Sequence, residues 1–450
     1  MYFITAISLF FYSLFVYANP YWDPNKVPRD GSYLSRAPVI LKTVSKEEKI
    51  YVLRVQVNWA EEGERYTINH MVLEQSGTPA LLARSPHQPK WGSYLGLLKD
   101  SKTGKTLYFD SVGTGKEYRK LARAINLRFP LPENNVVFEL YAENPQTGVM
   151  EKVVEQPIIV SKLEYDQAHF PSLEVKELAL AKTNPSLRVN IYAEGYSLKE
   201  KNKFWQQALK TVDALYKAKF PGVEYMSFYA VFSPSTEKLG KAKNLSYPVP
   251  EFNSFLGLYY PYWDNFGRWY HIVYPTRENK FRQALASAPY DYPIVLVNNA
   301  EYWGVGNYMS HTAIPAENSI YFTYLLLHEM GHFFGLNEEY EGGGRTELEF
   351  APDIEEPWSQ NISFLANPSY SVLKWNQFVQ FDTELPTPYN VWHSSPPVYG
   401  AYQGGYGDSQ NTKGVSHKPG LNCIMESHEN FCAICAKGIL DVVQFSLGIN

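Results

Sequence analysis

A chain of 450 residues has room for two or three domains. Its 45% hydrophobic and 19% charged residues place it among folded proteins and exclude a disordered one. The formal net charge of −5, with no long basic run, argues against nucleic acid as a partner. Aromatic residues reach 16%, which suits β-rich packing and carbohydrate- or peptide-contacting surfaces equally, so this figure decides nothing about substrate.

The chain opens on an almost wholly apolar run, Ile4 to Tyr17, closed by Val16-Tyr17-Ala18. Small residues at those positions predict a signal peptide over 1–18, although no positive residue precedes the run. An uncleaved anchor is the alternative, but the run is shorter than the roughly 20 residues of a span and meets Asn19-Pro20 at once. The expectation is an exported protein, secreted, periplasmic or held at the cell surface, with no stable membrane insertion after cleavage. No cysteine near the cleavage site supports a lipid anchor.

Residues 19–45 show no period and read as a lead-in. From about 46 to 165 the signals are strands: Ile50-Tyr-Val-Leu-Arg-Val-Gln-Val57 alternates, as does Val136-Val-Phe-Glu-Leu-Tyr-Ala142, and Asp100-Ser-Lys-Thr-Gly104 is a turn. The expected N-terminal domain, 19–165, is an all-β sandwich serving as a support or binding module. Residues 166–185 read as a linker leading into a catalytic domain at 166–450. There, Leu187–Ala193 is a strand and Ser197-Leu-Lys-Glu200 a capping box opening a helix that runs to Phe220-Pro221. Ser227–Phe232 and Pro293–Asn298 are further strands, the second wholly apolar, with a helix around Lys280–Ala288 between them. This alternation predicts an α/β domain with a largely parallel sheet. The glycines of Trp303-Gly304-Val305-Gly306 suggest a turn. Tyr308–Ile314 reads as an edge strand able to pair with an extended peptide, with His311 as a rim candidate.

A helix from about Ser319 to Phe334 carries His328-Glu329-Met330-Gly331-His332. Histidines four apart share one helix face and can reach one metal ion. Zinc suits neutral imidazole, and Glu329 is placed to act on an activated water as general base. Gly335 can turn the chain, and Glu338 and Glu339 follow as candidates for a third ligand. The region 341–420 is loop-rich. Tyr399, Tyr402, His393 and His417 are candidates for stabilising an oxyanion there. Met425, downstream of the helix, suits the Met-turn that marks metzincins. The three cysteines, Cys423, Cys432 and Cys435, predict one local disulfide, with a structural zinc site including His428 as the second reading. A last helix spans about Cys435–Phe445.

Taken in order, these motifs resemble the IgA-peptidase family of secreted bacterial zinc metallopeptidases, in the metzincin clan. The likeness is carried by Arg128-Phe-Pro-Leu-Pro132, Ala193-Glu-Gly-Tyr196, Ile294–Asn298, the histidine helix, Glu338-Glu339-Tyr340, Gly400-Ala-Tyr-Gln-Gly404, Cys423-Ile-Met425 and Phe431–Cys435. The resemblance implies a multidomain protein, with an N-terminal β-sandwich followed by an α/β metzincin-like zinc peptidase domain. It implies Zn2+ held by His328 and His332, Glu329 as catalytic base and Met425 in the Met-turn. Two positions depart from the family pattern: Glu338 stands where Asp is expected, and Gln403 where an acid is. Glu338 stands ten residues after His328, the usual place of the third ligand in metzincins, and aligns with that Asp; the resemblance therefore implies Glu338 as third ligand, with Glu339 as the alternative. The expected activity is endopeptidase hydrolysis of a protein or peptide substrate by a zinc-activated water. The rival readings are a zinc amidase acting on cell-wall peptide and a non-catalytic surface-binding protein with a structural metal. An intact Glu329 speaks against the last.

Overall fold

The computed structural model describes residues 51–449, apart from 60–65, 78–91, 114–123, 144–149, 167–169, 171, 242–251, 261–272, 308–309, 318–319, 341–358, 394–397, 406–415 and 428–429. The expected signal segment and lead-in lie outside the described residues, as does His428.

The N-terminal part is built from β1 (Tyr51–Asn58), β2 (Thr67–Gln75), β3 (Tyr94–Asp100), β4 (Thr106–Val112), β5 (Ala124–Pro130), β6 (Val136–Glu143), β7 (Met150–Ile158) and β8 (Glu164–Tyr165). They form two four-stranded sheets, ordered β5-β1-β2-β8 and β4-β3-β6-β7. Both sheets feed one apolar core, in which Leu53, Val55 and Phe129 meet Leu98, Phe138 and Leu140. Gly96 lets them close: a Cβ there would lie 2.7 Å from Leu127 Cδ1. The Asp100–Gly104 turn joins β3 to β4, with Gly104 at a positive φ of 68°.

Along β1 the polar residues are buried too. Arg54 is wholly enclosed, its guanidinium bonded to Glu74, Asn126 and Asp166. The outer face of this sheet packs on the second half of the chain. Arg128 donates to Glu74 and to the Tyr290 carbonyl and lies over the Tyr290 ring, while Asn126 donates to Glu278.

The second half begins with β9 (Glu174–Ala179), β10 (Leu187–Glu194), α1 (Lys201–Lys217), β11 (Met226–Phe232), β12 (Gly240–Lys241), β13 (Leu258–Tyr260), β14 (Tyr274–Pro275) and α2 (Glu278–Leu285). It continues with β15 (Tyr292–Val297), β16 (Val305–Asn307), β17 (His311–Pro315), α3 (Phe322–Phe333), β18 (Ser363–Phe364), β19 (Tyr402–Gln403), β20 (Ser416–Lys418) and α4 (Ala433–Leu447). Six strands make one sheet in the order β16-β17-β15-β10-β11-β9. Its inner strands run parallel, and both edges, β16 and β9, run antiparallel to their neighbours. On one face α1, α3 and α4 share a core with the inner strands, through residues such as Phe204, Leu326 and Ile439. On the other face α2, Trp303 and the segment around Leu256–Leu258 cover Tyr192, Val231 and Val295. The molecule is thus β-rich and multi-sheet. Among its described residues no helix is long and apolar enough to cross a membrane.

Three expectations are corrected. The 166–185 segment is not simply a linker, because β9 pairs with β11. Its alternation is weak because it lies at an edge and is exposed at three successive residues, Val175 to Glu177, on both faces. The strand at His311–Pro315 is not the edge: it is wholly buried between β15 and β16, and β16 takes the outer position. His311 is therefore no rim residue. It packs on Phe281, and burial with Arg282 nearby lowers its pKa to about 3, so it is neutral. The loop-rich stretch also contains a small sheet, β18-β20-β19.

Candidate active site

Helix α3 enters the core as Leu325-Leu326-Leu327 and delivers His328, Glu329 and His332 at one end of the sheet. Gly335, at φ 91°, ends it. The Leu336 amide donates to Gly331 O and the Gly335 amide to His332 O, both at 2.9 Å, a Schellman closure that satisfies orphan carbonyls. The same turn brings Leu336 O to 2.9 Å from His332 Nδ1. His328 Nδ1 lies 2.9 Å from Ile424 O, in the turn that carries Met425.

A carbonyl only accepts, so both Nδ1 atoms carry the proton. In the neutral rings both Nε2 atoms are then bare, and they face each other at 3.1 Å. Two lone pairs at that distance repel unless a cation lies against both. Glu338 brings a carboxylate oxygen to 3.9 Å from His332 Nε2. Two bare imidazole nitrogens and one carboxylate are a donor set that fits zinc.

Met425 is fully buried beneath the histidines. A Cβ on Gly331 would come within 2.5 Å of its Sδ, so the motif's glycine makes room for the methionine. Glu329 is nearly as enclosed, against the glycines that the sequence suggested as a turn. A Cβ on Gly304 would reach 2.3 Å from Glu329 Oε1, and one on Gly306 would reach 2.0 Å from Glu329 O. These glycines serve close approach of the edge strand to the helix.

Three tyrosines near the histidines were given no role by the sequence reading, although Tyr340 was quoted in a motif. The centre of the His328 ring lies 5.3 Å from that of Tyr324 and 6.0 Å from that of Tyr340. Tyr324 stands one turn before His328 on the same helix face, a spacing that could have revealed it. Burial, then neighbouring charge that includes Glu329, raises the pKa of Tyr302 and Tyr324, so both phenols stay protonated. The earlier oxyanion candidates have other tasks. Tyr402 donates to Val398 O, Tyr399 accepts from the Ala433 amide at the start of α4, and His417 is buried in β20. His393 is exposed at the end of a short turn.

Neighbouring side chains in the loop after α3 point opposite ways. While Glu338 faces His332, Glu339 is wholly buried on the far side. The Glu339 amide donates to Met425 O, its carbonyl accepts from Lys418 Nζ, and its Oε1 accepts from Asn361 Nδ2. The expected disulfide is not formed: all three cysteines are unbridged and gather round the Glu339 carboxylate.

A buried helix thus carries paired histidines and a neighbouring carboxylate, with a buried methionine against its glycine. The chain matches the family model of the IgA Peptidase M64 over residues 177–395 and 392–443, more than half its length, and belongs to that family of peptidases. No curated protein matches it.

Proposed function

We propose that this chain is an exported, zinc-dependent endopeptidase of the metzincin type, with His328, His332 and Glu338 as zinc ligands, Glu329 as general base and Met425 as the Met-turn methionine. The observation that carries the reading is the pair of bare Nε2 atoms facing each other at 3.1 Å, with Glu338 beside them. Residues 19–165 form its β-sandwich support and 166–450 its catalytic domain. The substrate is a protein or peptide met outside the cell.

Zinc would supply Lewis acidity, polarising the scissile carbonyl and making water acidic enough to attack near neutral pH. Glu329 takes the proton from the attacking water and returns it to the leaving amine. Tyr302 and Tyr324, held protonated, offer O–H donors to developing negative charge near that carboxylate. The edge strand β16 presents main-chain groups to an extended substrate alongside α3.

The test is to incubate the purified chain with an unfolded protein and sequence the new N-termini. Cleavage should stop on chelation and return with zinc. Cleavage indifferent to the chelator contradicts the reading.

A further inference from the structure

Glu339 Oε2 is buried and has no hydrogen-bond partner among the described residues. A carboxylate oxygen shut away from water in this manner is costly unless a cation or donor meets it. Lys418 does not supply one, since its Nζ bonds to the Glu339 carbonyl and to Glu426. What surrounds the carboxylate instead is sulfur. Cys423, Cys432 and Cys435 each place Sγ so that these three atoms and a Glu339 carboxylate oxygen all lie within 4.8 Å of one another. Cys435 Sγ is 3.0 Å from Glu339 Oε1.

We propose that Glu339, Cys423, Cys432 and Cys435 form a second, structural metal site for zinc or another thiophilic divalent ion, separate from the one at His328 and His332. The spacing suits four ligand atoms around one ion, and zinc accepts thiolate and carboxylate together. Cys432-x-x-Cys435 provides two ligands from the N-terminal turn of α4, with Cys432 as its cap. Backbone amides point at the sulfurs: Cys432 N–H lies 3.5 Å from Cys423 Sγ, and Cys435 N–H 3.4 Å from Cys432 Sγ. Such donors favour thiolate over thiol and orient the ligand. A disulfide between any two of the three would strand the third thiol and leave Glu339 Oε2 unmatched. Binding an ion meets all four groups and releases the thiol protons to solvent.

The site ties three segments together: the loop after α3, the turn before Met425 and the start of α4. Glu338 and Met425 sit one and two residues from its ligands, so it fixes the floor and one wall of the histidine site.

Elemental analysis of the full purified chain, prepared without added reductant, tests this. Wild type should carry about two zinc ions, and the double variant H328A/H332A about one. Cobalt-loaded protein, wild type and double variant alike, should show sulfur-to-metal charge-transfer absorption in the near ultraviolet. Unfolding in denaturant with chelator should free three titratable thiols per chain. If the histidine reading alone fails, wild type holds a single ion and still shows the sulfur band. One titratable thiol, or cobalt-loaded wild type without the sulfur band, overturns the second site; that wild-type spectrum decides even where the double variant does not fold.

Discussion

Gly304 shows how much of the chemistry depends on an atom that is absent. A Cβ there would press on Glu329 Oε1 at 2.3 Å, and the site is enclosed on the helix side, so the carboxylate would have to move. Displacements of about 1 Å in a catalytic group cost about a hundredfold in rate. Gly304→Ala should therefore lower kcat by about that factor while zinc content stays at the wild-type level, as read by steady-state cleavage and elemental analysis. Unchanged kcat would mean that Glu329 is not held by this contact. The residues with helical spacing, His328, Glu329 and His332, were legible because their relation is local. Gly304 was not: its partner is distant in the chain, and a glycine pair reads equally as a turn. The split between Glu338 and Glu339 was legible only as a preference. Which carboxylate faces the histidines depends on the Met425 carbonyl and Asn361, which hold the Glu339 side of the loop.

At the scale of elements, the strongly patterned segments were readable and the weakly patterned ones were not. The capping box at Ser197–Glu200 is present, with Glu200 accepting from the Ser197 amide at 3.0 Å. The parallel strands β10, β11 and β15 follow from their apolar runs. Helices α2 and α4 both start two residues earlier than expected, α2 ends three residues earlier and α4 two residues later, because helix ends depend on caps rather than on period. The strand β9 was hidden because Val175, Lys176 and Glu177 are exposed in succession, so neither face is consistently buried and no alternation is imposed. The order of β16 and β17 was also misjudged. Both are short, and only tertiary pairing decides which of two neighbouring segments takes the edge. The Gly400–Gly404 motif was quoted from sequence without a task. In the fold Gly400 fits against Thr387, and Gly405 just after it approaches Glu338 O, so this stretch backs the loop bearing Glu338.

On the scale of the whole molecule, the two halves are joined by buried charge rather than by apolar surface alone. Arg128 reaches Glu74 in its own sheet and Tyr290 across the interface. Removing one member of a buried pair typically costs about 3 to 5 kcal/mol, and Glu74 keeps Arg54 as a partner, which places the loss at the low end of that range. Arg128→Ala should lower unfolding stability by about 3 kcal/mol, seen as a lower denaturant midpoint, with the N-terminal half becoming the readier target of limited proteolysis. A midpoint within error of wild type would show that the interface does not rest on this residue. The halves meet at two places: Arg128 and Asn126 reach Tyr290 and Glu278 beside α2, and Phe109 of the second N-terminal sheet stacks on Phe445 of α4. The measurement that bears most directly on the account is made on Glu329→Gln. The variant keeps the shape of the side chain and removes its basicity. It should bind as much zinc as wild type and lose between about a hundredfold and ten-thousandfold in kcat for peptide-bond cleavage. Cleavage at the wild-type rate by a fully zinc-loaded Glu329→Gln protein would contradict the account.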